Sequence, residues 1–206
     1  MLTRNLLSHS GAAWAKSGAL DKVEVIAQWS SQNFGGNDSE KVPSDICYGA
    51  DGRPSNWGFG LSSKDNPLRW TKLLLCPLSM KNMPSPSKKE EDVVDGTRRQ
   101  LKYLKKSPVE VISHYLRFLW QHILQRLRDR LTAPILDNMI LKVVLTVPAI
   151  WDHTAHKQMR EAAKRAGILD HRPCGKTEVT LVAEPAAAAL ATYYDSDIKD
   201  SPIVEV

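Results

Sequence analysis

Three histidines in the second half of the chain are the side chains best suited to bind a metal ion. His153 and His156 are three residues apart, a spacing that places both on one face of a helix, and His171 follows. No carboxylate or cysteine stands at a matching spacing to complete a metal site. The sequence therefore favours solvated histidines near the start of a helix, and it predicts no direct metal ligand.

Five basic residues crowd into nine positions between Arg98 and Lys106, with Tyr103 among them. Such a patch, with an aromatic ring inside it, can contact nucleic acid. An acidic stretch precedes it at positions 90–95, and neighbouring runs of opposite charge are typical of a solvated face. We expect a solvated face and no nucleic-acid partner, with nucleic-acid binding as the alternative.

The small-residue and cysteine patterns exclude several other sites. Gly35 and Gly36 lack the spacing of a dinucleotide-binding or Walker-type phosphate loop. The three cysteines, Cys47, Cys76 and Cys174, lie far apart and form no CxxC pair. That arrangement disfavours a zinc cage and indicates a reducing compartment, so we expect a cytoplasmic protein. The alternative is a weak transit-peptide signal in the first twenty residues, which are rich in serine and poor in acids.

Length and composition are those of an ordinary soluble globular chain. The 206 residues allow one large domain or two small ones, and 42% of them are apolar and 25% charged. The net charge of +5 is mild. No run of eighteen apolar residues occurs, so we expect no membrane partner.

The first half of the chain reads as short strands and loops. Strands are predicted at 11–14 and 23–29, with Ser17 and Gly18 in the turn between them, and at 42–48. Residues 80–95, with two prolines and mixed charges, are predicted to form a surface loop.

A long amphipathic helix is predicted at 109–131, after Pro108. Apolar residues recur there at gaps of three and four, and they include Leu116, Trp120, Ile123 and Leu127. A partner-binding helix is possible, but a stripe of this width favours packing in the core.

The last seventy residues alternate between strand and helix. A buried strand is predicted at 141–147, a helix capped by Asp152 or Thr154 runs to 166, a strand covers 180–183, and a helix covers 184–194. A further strand is predicted from 203. This is an α/β pattern.

Three segments in this region carry a resemblance to a known family. They are VVLTVPA at 143–149, REAAKRAGI at 160–168 and LVAEPAAAAL at 181–190. In this order they resemble the nucleotide-binding domain of the heat-shock protein 70 family, within the actin-like ATPase superfamily. The earlier segments SGAAW at 10–14, KVPS at 41–44 and WTKLL at 70–74 are also similar to that family. The likeness is greatest to divergent eukaryotic relatives.

The resemblance implies lobe I of an actin-like (ribonuclease H-like) α/β fold, with an inserted α+β subdomain. Residues 1–40 and 109–206 would form the base of the lobe, and residues 41–108 its upper subdomain. ATP and magnesium are the cofactors of the family, and chaperone clients or co-chaperones are its partners.

Three residues match functional positions of the family. Lys72 resembles the lysine that contacts phosphate, with a surface lysine as the alternative. Glu184 resembles the carboxylate that holds magnesium through water, and helix capping is its alternative. Pro148 resembles the proline that relays nucleotide state, although Trp151 and His156 depart from the residues usual beside it.

Both phosphate-binding turns of the family are missing from this sequence. RNLLS at 4–8 stands where an Asp-x-Gly-Thr-Thr turn is usual, and the second turn would follow a strand at which the sequence stops. Arginine cannot coordinate magnesium, and leucine lacks the backbone freedom of glycine. We expect an incomplete lobe I, derived from a nucleotide-dependent chaperone, with weak or absent ATP binding and no hydrolysis alone. A non-enzymatic interaction module that uses the lobe I surface is the alternative.

Overall fold

The computed structural model describes residues 9–29, 38–76 and 88–195 of a mixed α/β protein. Its strands are β1 (His9–Lys16), β2 (Ala19–Ile26), β3 (Lys41–Pro43), β4 (Ile46–Tyr48), β5 (Pro54–Trp57), β6 (Lys142–Val147), β7 (His171–Arg172), β8 (Gly175–Lys176) and β9 (Glu178–Ala183). Its α-helices are α1 (Lys88–Leu104), α2 (Pro108–Leu131), α3 (Ala133–Asp137), α4 (His153–Arg165) and α5 (Glu184–Asp195). Two 3₁₀ helices cover Gly58–Gly60 and Thr71–Leu75.

β1 is the central strand of a three-stranded antiparallel sheet. β2 pairs with it along one edge and β3 along the other. Gly18 has a φ of 86° in the turn between β1 and β2, a backbone conformation that glycine adopts without a steric penalty. The two strands and the turn predicted for this region are confirmed.

β6 and β9 form a parallel pair, and α4 lies between them in the chain. The pairing runs without a break from Lys142 beside Glu178 to Val147 beside Ala183. Asp152 caps α4 by accepting a hydrogen bond from the backbone N–H of Ala155, at 2.8 Å. The strand, helix, strand, helix order predicted from the sequence is confirmed over the described residues.

α2 is the element around which the core is built. Ser107 caps it, since its hydroxyl accepts a hydrogen bond from the backbone N–H of Glu110 at 3.2 Å, and Pro108 occupies the first turn. Leu116 and Leu127 are buried as predicted, and the opposite face of the helix is exposed. Core packing is therefore confirmed for α2. Trp120 and Ile123 are only partly buried, because they border a cavity that is described below.

The loop predicted at 80–95 is wrong for residues 88–95, which form the first two turns of α1. Val94, Thr97 and Leu101 are buried along one side of this helix. The stripe is narrow and lies among many charged residues, so the sequence did not indicate an amphipathic helix here. Residues 77–87 and the strand predicted from 203 lie outside the described residues. The strand predicted at 42–48 is divided into β3 and β4.

The three cysteines are free and differ in exposure. Cys47 in β4 and Cys76 after the second 3₁₀ helix are buried, whereas Cys174 is partly exposed in the turn between β7 and β8. Burial raises the pKa of the Cys47 thiol to about 11, helped by the nearby carboxylates of Asp65 and Asp45. None of the helices in the described ranges has the length and apolar character needed to cross a membrane.

Candidate functional site

The site lies at the carboxyl ends of the parallel strands β6 and β9. Val147 and Ala183, the last residues of these strands, are register partners. Pro148 and Glu184, which follow them, therefore leave the sheet side by side. Ligand sites of α/β proteins commonly form at this edge of a sheet.

Lys72 reaches the same edge from the 3₁₀ helix Thr71–Leu75. Its ammonium group donates hydrogen bonds to Glu184 Oε1 at 2.9 Å and to the backbone carbonyl of Thr146 at 3.1 Å. The Trp151 ring lies beneath it, with its centroid 5.8 Å from Lys72 Nζ. The side chains of Lys72 and Glu184 are only 23% and 16% exposed. The structure thus brings together two of the three residues named from the resemblance, although 111 residues separate them in the chain.

The sequence left two alternatives open, a surface lysine for Lys72 and a helix-capping role for Glu184, and the contacts of the two residues bear on them differently. Lys72 is not an isolated surface lysine, because a carboxylate, a carbonyl and an aromatic face surround its charge. Glu184 is the first residue of α5, where a negative charge stabilises the helix dipole, and it also pairs with Lys72. Pro148 ends β6, and its carbonyl accepts a hydrogen bond from the backbone N–H of Trp151 at 3.2 Å.

Sequence reasoning did not predict the contacts that Thr146 and Trp151 make with Lys72. A backbone carbonyl leaves no signal in side-chain patterns. Trp151 departs from the family pattern. A bulky aromatic residue just after a buried strand was the one sequence signal that could have indicated its contact with Lys72.

A cavity of about 940 Å³ opens beside this ion pair. One side of α2 lines it, together with consecutive residues of β1 and of β6. Ser10 and Ser44, whose hydroxyl oxygens are 2.8 Å apart, line the same cavity. Most of the remaining wall is apolar, and the described acidic and basic side chains in it are those of His9, Lys41, Lys72, Lys142 and Glu184.

The described residues of this cavity do not fit a magnesium–nucleotide complex. Magnesium requires several oxygen ligands in octahedral geometry, and one or two carboxylates usually help to hold it. Glu184 is the one carboxylate among the described lining residues, and its Oε1 already accepts a hydrogen bond from Lys72. The Thr146 carbonyl also accepts one from the same lysine.

The histidines named above are dispersed. His153 is exposed at the first turn of α4, His156 lies with its ring centroid 6.4 Å from that of Trp151, and His171 is exposed in β7. Over residues 9–29, 38–76 and 88–195, no three His, Cys, Asp or Glu side chains group closely enough to hold a metal ion.

The basic cluster lies on the second half of α1 and in the turn after it. Arg98 pairs with Asp95 at 2.8 Å and Lys106 with Glu110 at 2.8 Å, so part of the positive charge is neutralised locally. Tyr103 projects from this surface with 86% of its area exposed.

A second polar feature lies on α2 and was not predicted from the sequence. The His122 ring stacks on Trp29 with centroids 4.8 Å apart, and the Tyr48 hydroxyl lies 2.8 Å from His114 Nδ1. Burial lowers the pKa of both histidines. Arg126 adds to this effect at His122, and Lys106 and Arg117 add to it at His114. Both imidazoles therefore bind a proton less readily in the folded chain than a free histidine does.

The chain has a parallel strand pair with a lysine–glutamate pair at its carboxyl edge, and the segments that form this edge resemble the heat-shock protein 70 family. No family model matches the sequence. Comparison with curated proteins, however, finds similarity to divergent eukaryotic members of that family, which confirms the predicted resemblance.

Two proteins named in that comparison are the 12A and 12B heat-shock proteins. The chain is 39% identical over 82 residues to human heat shock 70 kDa protein 12B, a match that covers 40% of this chain and 12% of that protein. It is 24% identical over 188 residues to mouse heat shock 70 kDa protein 12A, and 23% identical to the human 12A protein. Each of these two matches covers 88% of this chain. The chain spans about a quarter of the length of the 12A proteins, 26% in each case.

Proposed function

We propose that this chain is a lobe I segment of a heat-shock protein 70-like, actin-like ATPase domain that does not hydrolyse ATP on its own. The observation that carries the proposal is the ion pair between Lys72 and Glu184 at 2.9 Å. The two residues that resemble the phosphate-contacting and magnesium-holding groups of the family are bound to each other.

The chemistry of phosphoryl transfer explains why this pair is insufficient. The transfer depends on positioning the phosphates and stabilising the charge that develops on them, which requires a metal site and a backbone cradle. Here a nucleotide would have to break the ion pair of Lys72 with Glu184 and its hydrogen bond to the Thr146 carbonyl before that lysine could contact phosphate. The sequence RNLLS at 4–8 offers neither the aspartate nor the glycine of the family's first phosphate turn.

Three further expectations belong to this proposal. The base of the lobe would comprise 1–40 and 109–206, and the upper subdomain 41–108. Pro148 would be a remnant of the relay between nucleotide and partner domain. The three free cysteines support a reducing compartment, which we propose to be the cytoplasm.

A second candidate is a non-enzymatic module that binds other proteins through the lobe I surface. The observation that favours it is the cavity of about 940 Å³, whose wall is mainly apolar. An apolar concave surface of this size is typical of a binding site.

Calorimetric titration with ATP–magnesium, run alongside a phosphate-release assay, tests the first candidate. We expect a dissociation constant no tighter than about 1 mM, equivalent to roughly −4 kcal/mol, and phosphate release equal to a control without protein. Lys72→Ala and Glu184→Ala should change neither result, and Lys157→Ala, at an exposed position on α4, is the matched control. Micromolar binding, or turnover that is lost in Lys72→Ala or Glu184→Ala but kept in Lys157→Ala, would contradict the proposal.

A further inference from the structure

The second half of α1 and the turn after it present a basic surface with an aromatic ring among its cations. Arg99, Lys102 and Tyr103 are three and four residues apart, so they lie together on the side of the helix that faces away from the buried Leu101. All three side chains are exposed, and so is that of Lys105 in the turn. These four exposed residues are the α1 patch.

The positive charge of the α1 patch is not neutralised locally. Among the described residues, none forms an ion pair with the three cations of the patch, and the nearby carboxylates are engaged elsewhere. Asp95 pairs with Arg98 and Glu110 with Lys106, each at 2.8 Å. The acidic run at 90–95, which favours a solvated face in the sequence, occupies the first turns of α1, at the other end of the helix.

Tyr103 is the most exposed large apolar side chain in the part of the chain that the structure describes. It is 86% exposed, and the next in order, Ile140, is 61% exposed. The negative end of the helix dipole stabilises lysines and arginines in the last turn of α1. The dipole does not explain an aromatic ring there, and a ring left in water contributes no hydrophobic burial to the fold.

Lys105 occupies a backbone position that glycine usually fills. It follows the last residue of α1 with a φ of 52°. Its N–H donates a hydrogen bond to the carbonyl of Lys102 at 3.3 Å, and the N–H of Lys106 donates one to the carbonyl of Leu101 at 3.0 Å. This is the helix end called a Schellman motif. A lysine here costs conformational energy that glycine would avoid, and it adds a cation two residues from Tyr103.

We propose that the α1 patch binds single-stranded nucleic acid. The three cations would contact phosphates, and one base would stack on the Tyr103 ring. Cations beside an exposed aromatic ring are the combination that binds single strands without reading their sequence, since every base has a flat face. Arg99 and Lys105 are six residues apart, about 9 Å along a helix, which fits about three nucleotides at 3.4 Å each.

The ring distinguishes this occupant from other polyanions. Cations alone would accept an acidic protein segment or an anionic membrane equally well, whereas a nucleobase also uses the face of Tyr103. The α1 patch shares no residue with the site of Lys72 and Glu184. The inference therefore goes beyond the proposed function and does not depend on it.

The test measures fluorescence anisotropy of a labelled oligothymidylate of about eight nucleotides, with the full chain at about 0.05 M salt. An abasic oligonucleotide of the same length is the matched probe, because it carries the same phosphates without bases. We expect the oligothymidylate to bind about tenfold more tightly than the abasic probe. Raising the salt to about 0.2 M should weaken binding about 20-fold if three phosphates are contacted.

Variants at exposed positions locate the binding. Tyr103→Ala should weaken the oligothymidylate about tenfold and leave the abasic probe unchanged, whereas Tyr103→Phe, which keeps the ring, should change neither. Lys102→Glu should weaken both probes and reduce their salt dependence. Lys164→Glu, at an exposed position on α4, is the matched charge control and should change neither. Circular dichroism checks the fold of each variant.

Several outcomes would overturn the proposal. They are equal affinity for the two oligonucleotides, indifference to Tyr103→Ala, and equal losses in Lys102→Glu and Lys164→Glu. Tighter binding of polyglutamate than of the oligothymidylate would assign the α1 patch to an acidic protein segment instead. Tighter binding of vesicles that contain phosphatidylserine would assign it to a membrane surface.

Discussion

A carboxylate, a backbone carbonyl and an aromatic ring surround the ammonium group of Lys72. Removing either partner of the Lys72–Glu184 ion pair should therefore lower the stability of the fold. Glu184→Gln would leave the ammonium group, whose side chain is 23% exposed, without a counter-charge. We expect this variant to lower the free energy of unfolding by roughly 1–3 kcal/mol, and Lys72→Met to do the same. Urea unfolding measures both. The double variant should lose less than the sum of the two single losses, because neither partner is then left unpaired.

An exposed ion pair provides the control for that cycle. Arg53 and Asp51 lie 3.8 Å apart with 86% and 63% of their side chains exposed, so Arg53→Gln should leave the unfolding midpoint unchanged. Strict additivity of the Lys72 and Glu184 variants would show that the pair contributes nothing to the fold.

Gly58 occupies a position that no other residue can fill without strain. Its φ is 56°, and a Cβ atom built there would lie 2.5 Å from Cγ2 of Val42, which is fully buried. Gly52 has a similar φ of 71° but has open space around it. We expect Gly52→Ala to cost about 1–2 kcal/mol for the left-handed backbone alone, and Gly58→Ala to cost clearly more. Equal losses in chemical denaturation would refute the predicted clash.

Sequence alone could single out Lys72 and Glu184 as candidate site residues only through the resemblance of the segments around them. Nothing in residue spacing relates two positions this far apart in the chain. Their meeting depends on the 3₁₀ helix that carries Lys72, which begins after Trp70 in a left-handed conformation with a φ of 54°. A non-glycine residue in that conformation leaves no reliable signal in the sequence.

Among the secondary-structure elements, the long helix with a strong hydrophobic periodicity could be predicted from the sequence, whereas the very short strands could not. α2 has a capping serine, a proline in its first turn and an apolar stripe over six turns, so three local signals agree. The hairpin of β7 and β8 has only two residues per strand, and its location depends on neighbouring elements. Arg172, for example, donates a hydrogen bond to the carbonyl of Leu136 at 2.6 Å, at the end of α3.

Two histidines of α2 make the stability of the fold sensitive to pH. Burial makes the pKa values of His114 and His122 lower in the folded chain than in the unfolded chain. As the pH falls through about 6.5, the unfolded chain binds protons that the folded chain does not, so stability present at neutral pH is lost. Glu110 opposes this effect only partly at His114, and so do the hydrogen bond with the Ala27 backbone and the charge of Asp129 at His122.

Thermal melting between about pH 7.5 and pH 5.5 measures that loss. We expect the melting temperature to fall across this range in the unmodified chain, and to fall less in His122→Gln. His153→Gln, at an exposed position on α4, should keep the full pH dependence. A melting temperature that rises on acidification would mean that these imidazoles gain, rather than lose, proton affinity on folding.

At the scale of the whole molecule, two small sheets flank one space and share α2 as their support. The described sheets have two or three strands each, and isolated sheets of this size are marginally stable without a helix to cover them. The net charge of +5 opposes the approach of a second copy, whereas the edges of β1 and β6 that no other described strand pairs with would favour association.

Salt should therefore promote self-association. Raising the ionic strength from about 0.05 M to 0.5 M shortens the Debye length, so we expect sedimentation to show larger species at the higher value. Val144→Lys, which places a charge on an exposed position of β6, should reduce the association, and Leu190→Lys, at an exposed position of α5, should not. Association that weakens with salt would indicate that ion pairs, and not open strand edges, join the copies.

The unequal burial of the three cysteines has a practical consequence. The thiolate is the form that reacts with alkylating reagents, and burial keeps Cys47, with its pKa of about 11, in the protonated form at neutral pH. Cys76 is 1% exposed, and Cys174 in the hairpin turn is the accessible thiol of the three. We therefore expect a maleimide dye to attach at Cys174 in the folded chain. The protein thus has a natural labelling position, 102 residues along the sequence from Lys72.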